Sequence, residues 1–235
     1  MSQINIILPD KSVRSFDHEP TALEVAAGIG PRLAKDTLGA KINGLPEIVD
    51  LRTPLKDGTN LELVTAKSPQ ALEVVRHSAA HLMAHAVQSI WPEVKVTIGP
   101  VIENGFFYDF DSPFHFTEEH FAQIEKKMDE LVKKDFPLTR ENWPIEKAIE
   151  TFKVKGERFK VEIIEDLAKK GEGVVGIYHQ GDWFDLCRGP HVQSTGQIKA
   201  FKLMSVAGAY WRGDEKNPML QRIYATAFLD KKELD

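Results

Sequence analysis

The sequence predicts an α+β protein in two parts: a small β-grasp (ubiquitin-like) domain over residues 1–64, then a larger α+β domain over residues 65–235 with an antiparallel sheet and a long central helix. Three observations predict this. Short apolar runs punctuated by turns fill the first 64 residues in the order strand, strand, helix, strand, strand, strand. An apolar stripe at helical spacing runs from Leu72 to Ile90, and strand-like runs return between Val174 and Phe228.

The elements follow in order. Ile4 to Leu8 and Val13 to Phe16 flank a Pro9-Asp10-Lys11 turn and read as a hairpin. Thr21 with Glu24 three residues on is a capping box, opening a helix that Gly28 and Gly30-Pro31 end. Asn43-Gly44 predicts a tight turn between strands at Ala40 to Ile42 and Glu47 to Val49, and Asp57-Gly58 precedes a strand at Leu61 to Val64. Thr65 to Gln70 is a polar linker in which Ser68 and Pro69 suit a helix start. The helix that follows places Leu72, Val75, Ala79, Leu82, Met83, Ala86 and Ile90 on one stripe and stops at Trp91-Pro92. Further helices are predicted at Thr117 to Lys134, around Ile145 to Phe152, and at Val161 to Lys170. Strands are predicted at Val174 to His179, Trp183 to Leu186, Phe201 to Val206 and Gln221 to Phe228.

Composition narrows the function classes. Hydrophobic residues make up 42% and charged residues 28%, which excludes a disordered or fibrous chain. Apolar runs are a handful of residues long, well short of the roughly 20 that a membrane-spanning helix needs. No secretory leader is recognisable at the start, and a lone cysteine, Cys187, suits a reducing cytoplasm. A net charge of −5 argues against a protein that lives by nonspecific phosphate attraction, so nucleic acid would need a local basic face.

Chemistry gathers at two places far apart in sequence. His77, His81 and His85 stand four residues apart, in one row on the central helix. Cys187 and His191 repeat that spacing just after the strand Trp183 to Leu186. Imidazoles beside a thiol supply either a tetrahedral zinc site or hydrogen-bonding groups that titrate near neutral pH. Tyr108, Lys160 and Asp185 each lie among apolar neighbours, which hints at partial burial. Tyr210, Trp211 and Arg212 offer planes on which unpaired bases can stack, or else core aromatics of a sheet.

Four motifs in one order carry a resemblance. His77-Ser78-Ala79-Ala80-His81, Ile98 to Phe106, Asp185-Leu186-Cys187-Arg188-Gly189-Pro190-His191 and Gly208 to Asp214 resemble the N-terminal half of bacterial threonyl-tRNA synthetases, across essentially the whole chain. The resemblance implies a TGS domain at 1–64 and, at 65–235, the editing domain shared with alanyl-tRNA synthetases. It also implies an excised fragment, without the aminoacylation core and the anticodon-binding domain and without ligase activity. The implied activity is aminoacyl-tRNA deacylation: hydrolysis of mischarged Ser-tRNA(Thr) by a positioned water, sparing Thr-tRNA(Thr). The need is physical, because a pocket for threonine rejects the smaller serine by only about 10- to 200-fold. His77, Lys160 and Asp185 are expected to carry the catalysis; His81, Tyr108, Cys187 and His191 to shape the serine and ribose pocket; Arg212, Tyr210 and Trp211 to meet the RNA. The expected partners are the seryl-bearing acceptor end of tRNA(Thr) and the remaining domains of the same polypeptide, in the cytoplasm and away from membranes. No cofactor is required. Zinc on His77, His81, Cys187 and His191 is the alternative, pointing to a zinc-dependent small-molecule hydrolase. A noncatalytic RNA-binding module is the other rival.

Overall fold

The computed structural model describes residues 3–234, so Met1, Ser2 and Asp235, at the outer ends of the two expected domains, lie outside it. Two compact units emerge. One comprises the chain up to Val75 together with Gly189–Gln193, and the other comprises Arg76–Arg188 and the chain from Ser194 onward.

In the first unit β1 (Ile4–Ile7) and β2 (Val13–Phe16) pair antiparallel. Helix α1 (Ala22–Ile29) opens on the expected capping box: Glu24 N donates to Thr21 Oγ1 at 3.2 Å, and Thr21 N donates to Glu24 Oε2 at 2.7 Å. A short α2 (Pro31–Asp36) leads into β3 (Thr37–Ile42), which pairs antiparallel with β4 (Leu61–Thr65). A parallel bridge from Ile7 to Asn60 joins the two ladders. Ile6, Val25, Ala40, Leu51, Leu55 and Leu61 fill the β-grasp core. Two expectations need correction. Pro31 starts a helix instead of only ending one, since proline is tolerated in a first helical turn. The strand expected at Glu47 to Val49 shrinks to a single bridge between Ala40 and Val49. The segment Gly189–Gln193 is tied within this unit by Gln193 Nε2, which donates to the carbonyls of Ala34 (2.8 Å) and Thr37 (2.7 Å).

The helix α3 (Ala71–Ile90) contributes its residues from Arg76 on to the second unit. Between Ala79 and Val87 it is buried almost all round, including Ala80, Met83 and Ala84. A helix apolar on every side is a core helix, not a surface one. Next come β5 (Lys95–Val96), β6 (Val101–Ile102), β7 (Gly105–Asp111) and α4 (Phe121–Lys134). They are followed by β8 (Leu138–Pro144), α5 (Ile145–Val154), α6 (Arg158–Lys169), β9 (Val174–Gln180) and β10 (Trp183–Leu186). The long strands β11 (Ala200–Tyr210) and β12 (Met219–Phe228) complete the unit's sheets.

These strands form two antiparallel sheets, not one. The larger has the order β11-β12-β7-β5 with β6 beside β7; the smaller has the order β10-β9-β8. Helices α5 and α6 bury Ile145, Phe152, Val161 and Ile164 against Trp143, Val175 and Ile177 of the small sheet. Strand β8 has no counterpart in the sequence reading. Its Thr139 to Asn142 are exposed, so the alternation that marks a half-buried strand is absent.

Candidate functional site

A cavity of about 800 Å³ opens in the second unit where α3, β7, α6 and the small sheet meet. Each wall supplies its chemistry for a local reason. On α3, His77 and His81 are one turn apart, with ring centroids 5.4 Å apart, and both face the cavity. On α6, Lys160 falls on the buried face with Phe159, Val161 and Ile164, so its stem packs with the core and its ammonium reaches the cavity. On β10 the period of two buries Trp183 and Asp185 while Phe184 and Leu186 are less covered.

The centre is a closed polar triangle. Lys160 Nζ lies 2.7 Å from Asp185 Oδ1 and donates to Tyr108 Oη at 3.1 Å, and Tyr108 donates to Asp185 Oδ2 at 2.6 Å. Leu186 N adds a bond to Asp185 Oδ1 at 2.8 Å. Lys160 is 3% exposed, and Asp185 and Tyr108 1% each, so this pair is not a solvent-screened surface ion pair. Burial, with the Asp185 carboxylate beside it, pushes the Tyr108 hydroxyl well above its ordinary range, so it stays a donor. His81 is held well below its ordinary value, first by burial and then by His77 and Lys160, and is neutral at pH 7. Its Nδ1 is 3.9 Å from Asp185 Oδ2, too far for a hydrogen bond. Cys187 Sγ lies 3.2 Å from His77 Nε2.

Two glycines make the close packing feasible. A side chain at Gly99 would run into the Tyr108 ring. The segment is pinned there because Asp109 N donates to the Ile98 carbonyl and Thr97 Oγ1 to the Asp109 carbonyl. A Cβ at Gly176 would sit 2.5 Å from the Cys187 carbonyl oxygen and 3.0 Å from Arg140 Nε. Behind the site Gln88 links three elements: it donates to Glu157 at 2.7 Å, ahead of α6, and accepts from Trp183 Nε1 at 2.7 Å, on β10. Burial raises the Glu157 carboxyl, while Gln88 and the Val96 N–H oppose that rise.

Of the residues expected from sequence, His77, His81, Tyr108, Lys160, Asp185 and Cys187 line this one cavity. His191 is buried and stands on the segment that groups with the first unit. The trio expected to contact RNA does not line this cavity. Trp211 is a core residue, 4.9 Å from the Phe159 ring and donating to Glu162 at 2.9 Å, so it offers no open face for a base. Arg212 is held by Asp166 at 2.7 Å, which leaves Tyr210 as the trio's exposed ring. His85 leaves the cavity row as well. It stacks on Trp183 with centroids 5.4 Å apart, takes a 2.8 Å contact from Gln180 to Nδ1, and burial brings it down to about 4. Sequence reasoning missed Arg140 and Asn142, which line the cavity from the unrecognised strand β8, and it gave no role to Arg188.

The donor atoms of His77, His81 and Cys187 lie within 4.8 Å of one another. Two imidazoles and a thiol are ordinary zinc ligands, so the set fits such an ion chemically.

Residues 4–65 match the TGS domain, and residues 175–224 match the threonyl and alanyl tRNA synthetase second additional domain. Across its whole length the chain is 76% identical to threonine-tRNA ligase of Bdellovibrio bacteriovorus. It is 54% identical, again over its whole length, to that of Citrifermentans bemidjiense, and 55% identical to that of Syntrophotalea carbinolica. In each comparison it spans 36% of the relative's length. The chain thus joins a TGS domain to a second additional domain of the synthetase type. Within that class, it corresponds to the part of a threonine-tRNA ligase that carries these two domains.

Proposed function

We propose that this chain is the editing part of a threonine-tRNA ligase, hydrolysing the ester of Ser-tRNA(Thr) and sparing Thr-tRNA(Thr). The observation that carries this reading is the buried Lys160–Asp185–Tyr108 triangle beside the His77–Cys187 contact in one cavity. An ester needs only a placed water and a stabilised oxyanion, and each preorganised donor contributes about 2.7 to 4 kcal/mol.

With Asp185 at 2.7 Å, Lys160 serves as a fixed cation for the oxyanion rather than as a base. His77 takes the water's proton, and the Cys187 thiol fixes its ring. Neutral His81, protonated Tyr108 and Cys187 shape the seryl and ribose pocket, with His191 added on its sequence position. Tyr210 is the remaining candidate for contact with the RNA. The partners are the acceptor end of tRNA(Thr) and the other domains of a full-length ligase, in the cytoplasm. Among the described residues no helix is long and apolar enough to cross a membrane.

His77→Ala is expected to abolish seryl-ester hydrolysis while tRNA binding persists, and Cys187→Ala to retain turnover. Full activity in His77→Ala removes that residue from the chemistry, and an inert Cys187→Ala turns attention to a thiol nucleophile.

A second reading rests on the proximity of His77, His81 and Cys187. These residues would hold a zinc ion, which supplies Lewis-acid polarisation when a coordination position stays open and structural closure when none does. Elemental analysis of chelator-treated and untreated protein separates the readings: zinc that tracks with activity favours the second.

A further inference from the structure

We infer that Arg140 and Arg188 form a phosphate-binding pair at the cavity, holding the phosphodiester on the 5′ side of the nucleoside whose ester is cleaved. This rests on the editing reading above and names a subsite of it. The second unit contains six arginines, and four of them are engaged. Arg76 donates to the carbonyls of Ala227 and Glu103. Arg158 meets Asp111, Arg212 meets Asp166, and Arg222 meets Asp109. Arg140 and Arg188 have no hydrogen bond or ion pair from their side chains among the described residues, and they are the two arginines that line the cavity.

Their placement is built into the fold. Arg140 is on β8 opposite Tyr178, and its guanidinium passes beside Gly176, where a Cβ would lie 3.0 Å from Nε and 3.2 Å from Nη2. The same missing Cβ lets the Cys187 carbonyl approach, and Cys187 N donates to the Gly176 carbonyl at 3.0 Å. Arg188 follows directly. Both arginines are exposed residues and so mark the open side of the cavity, whereas Lys160 and Asp185 mark its buried side. An ester at the buried side leaves the rest of the nucleotide directed outward, and planar guanidinium forks match phosphate oxygens.

The test uses the whole chain and two nonhydrolysable 3′-seryl-amide adenosines, one with a 5′-phosphate and one without. The inference expects the phosphate to tighten binding about tenfold or more, and Arg140→Ala or Arg188→Ala each to remove about tenfold from that ligand alone. Arg→Lys recovers part of the loss, and each alanine variant lowers the salt slope of binding by about one. With the matching seryl esters, KM should rise and kcat hold for the phosphorylated substrate, while the unphosphorylated one is unaffected. Equal binding of both analogues by the parent chain overturns the phosphate pair and leaves the editing reading standing. So does an equal loss for both analogues in the variants. Failure of the parent chain to bind either analogue overturns the editing reading and this inference with it.

Discussion

Asp185→Asn is the sharpest probe of the buried triangle. The substitution keeps the volume and the oxygen that accepts from Leu186 N, and it removes the charge opposite Lys160 Nζ at 2.7 Å. Breaking one side of a buried pair costs about 3 to 5 kcal/mol, because the remaining ion has lost water without compensation. Asparagine keeps one acceptor, so the lower end applies, and roughly 3 kcal/mol corresponds to a fall in Tm of about 6 to 12 °C. The penalty belongs to the ammonium. It arises because Lys160 Nζ stays buried opposite the new amide with no charge to balance it. Urea unfolding at neutral pH measures the cost. Adding Lys160→Met should restore most of the stability but none of the activity, since an apolar replacement of a buried pair is often neutral. A cost under about 1 kcal/mol, or a double variant as unstable as the two single losses added, would refute the idea that the pair is dry and coupled.

Gly99→Ala should displace the Tyr108 ring and weaken both stability and hydrolysis, with loss of the tyrosine's bond to Asp185 visible in a crystal structure; a parent-like ring position would contradict the packing. Acid should destabilise the chain through His85. Its folded value of about 4 lies below the unfolded 6.5, so its contribution is complete above pH 6.5 and disappears as pH falls towards 4. That gap corresponds to roughly 3 kcal/mol, and His85→Phe, which keeps a ring on Trp183, should flatten this limb of a pH titration of unfolding. Trp211→Ala should cost about 3 to 5 kcal/mol by opening a cavity beside Phe159, and unchanged stability would return Trp211 to the surface as a base-stacking residue.

The helices were legible because their signals are local. Thr21 and Glu24 cap α1 as their spacing demands, and the Leu72 to Ile90 stripe is α3. The strands were legible where buried and less covered residues alternate, as in β10, and invisible where they do not, as in β8, whose Thr139 to Asn142 are all exposed and which carries Arg140 and Asn142 to the cavity. The histidine row was legible, but its division was not. His77 and His81 face the cavity while His85 turns to Trp183, a distinction set by what packs around a helix buried on all sides. Likewise Trp211 beside Arg212 has the same look in sequence whether it stacks on a base or on Phe159. The pairing of Lys160 with Asp185, 25 positions apart, is a tertiary fact that apolar neighbours only hinted at.

The most direct measurement is single-turnover hydrolysis of Ser-tRNA(Thr) and Thr-tRNA(Thr) by the 235-residue chain at micromolar protein and low salt, where weak phosphate contacts are strongest. Editing requires rapid loss of the seryl ester, a much slower loss of the threonyl ester, and neither with His77→Ala. Equal rates on the two esters, or a seryl rate that His77→Ala leaves intact, would contradict it.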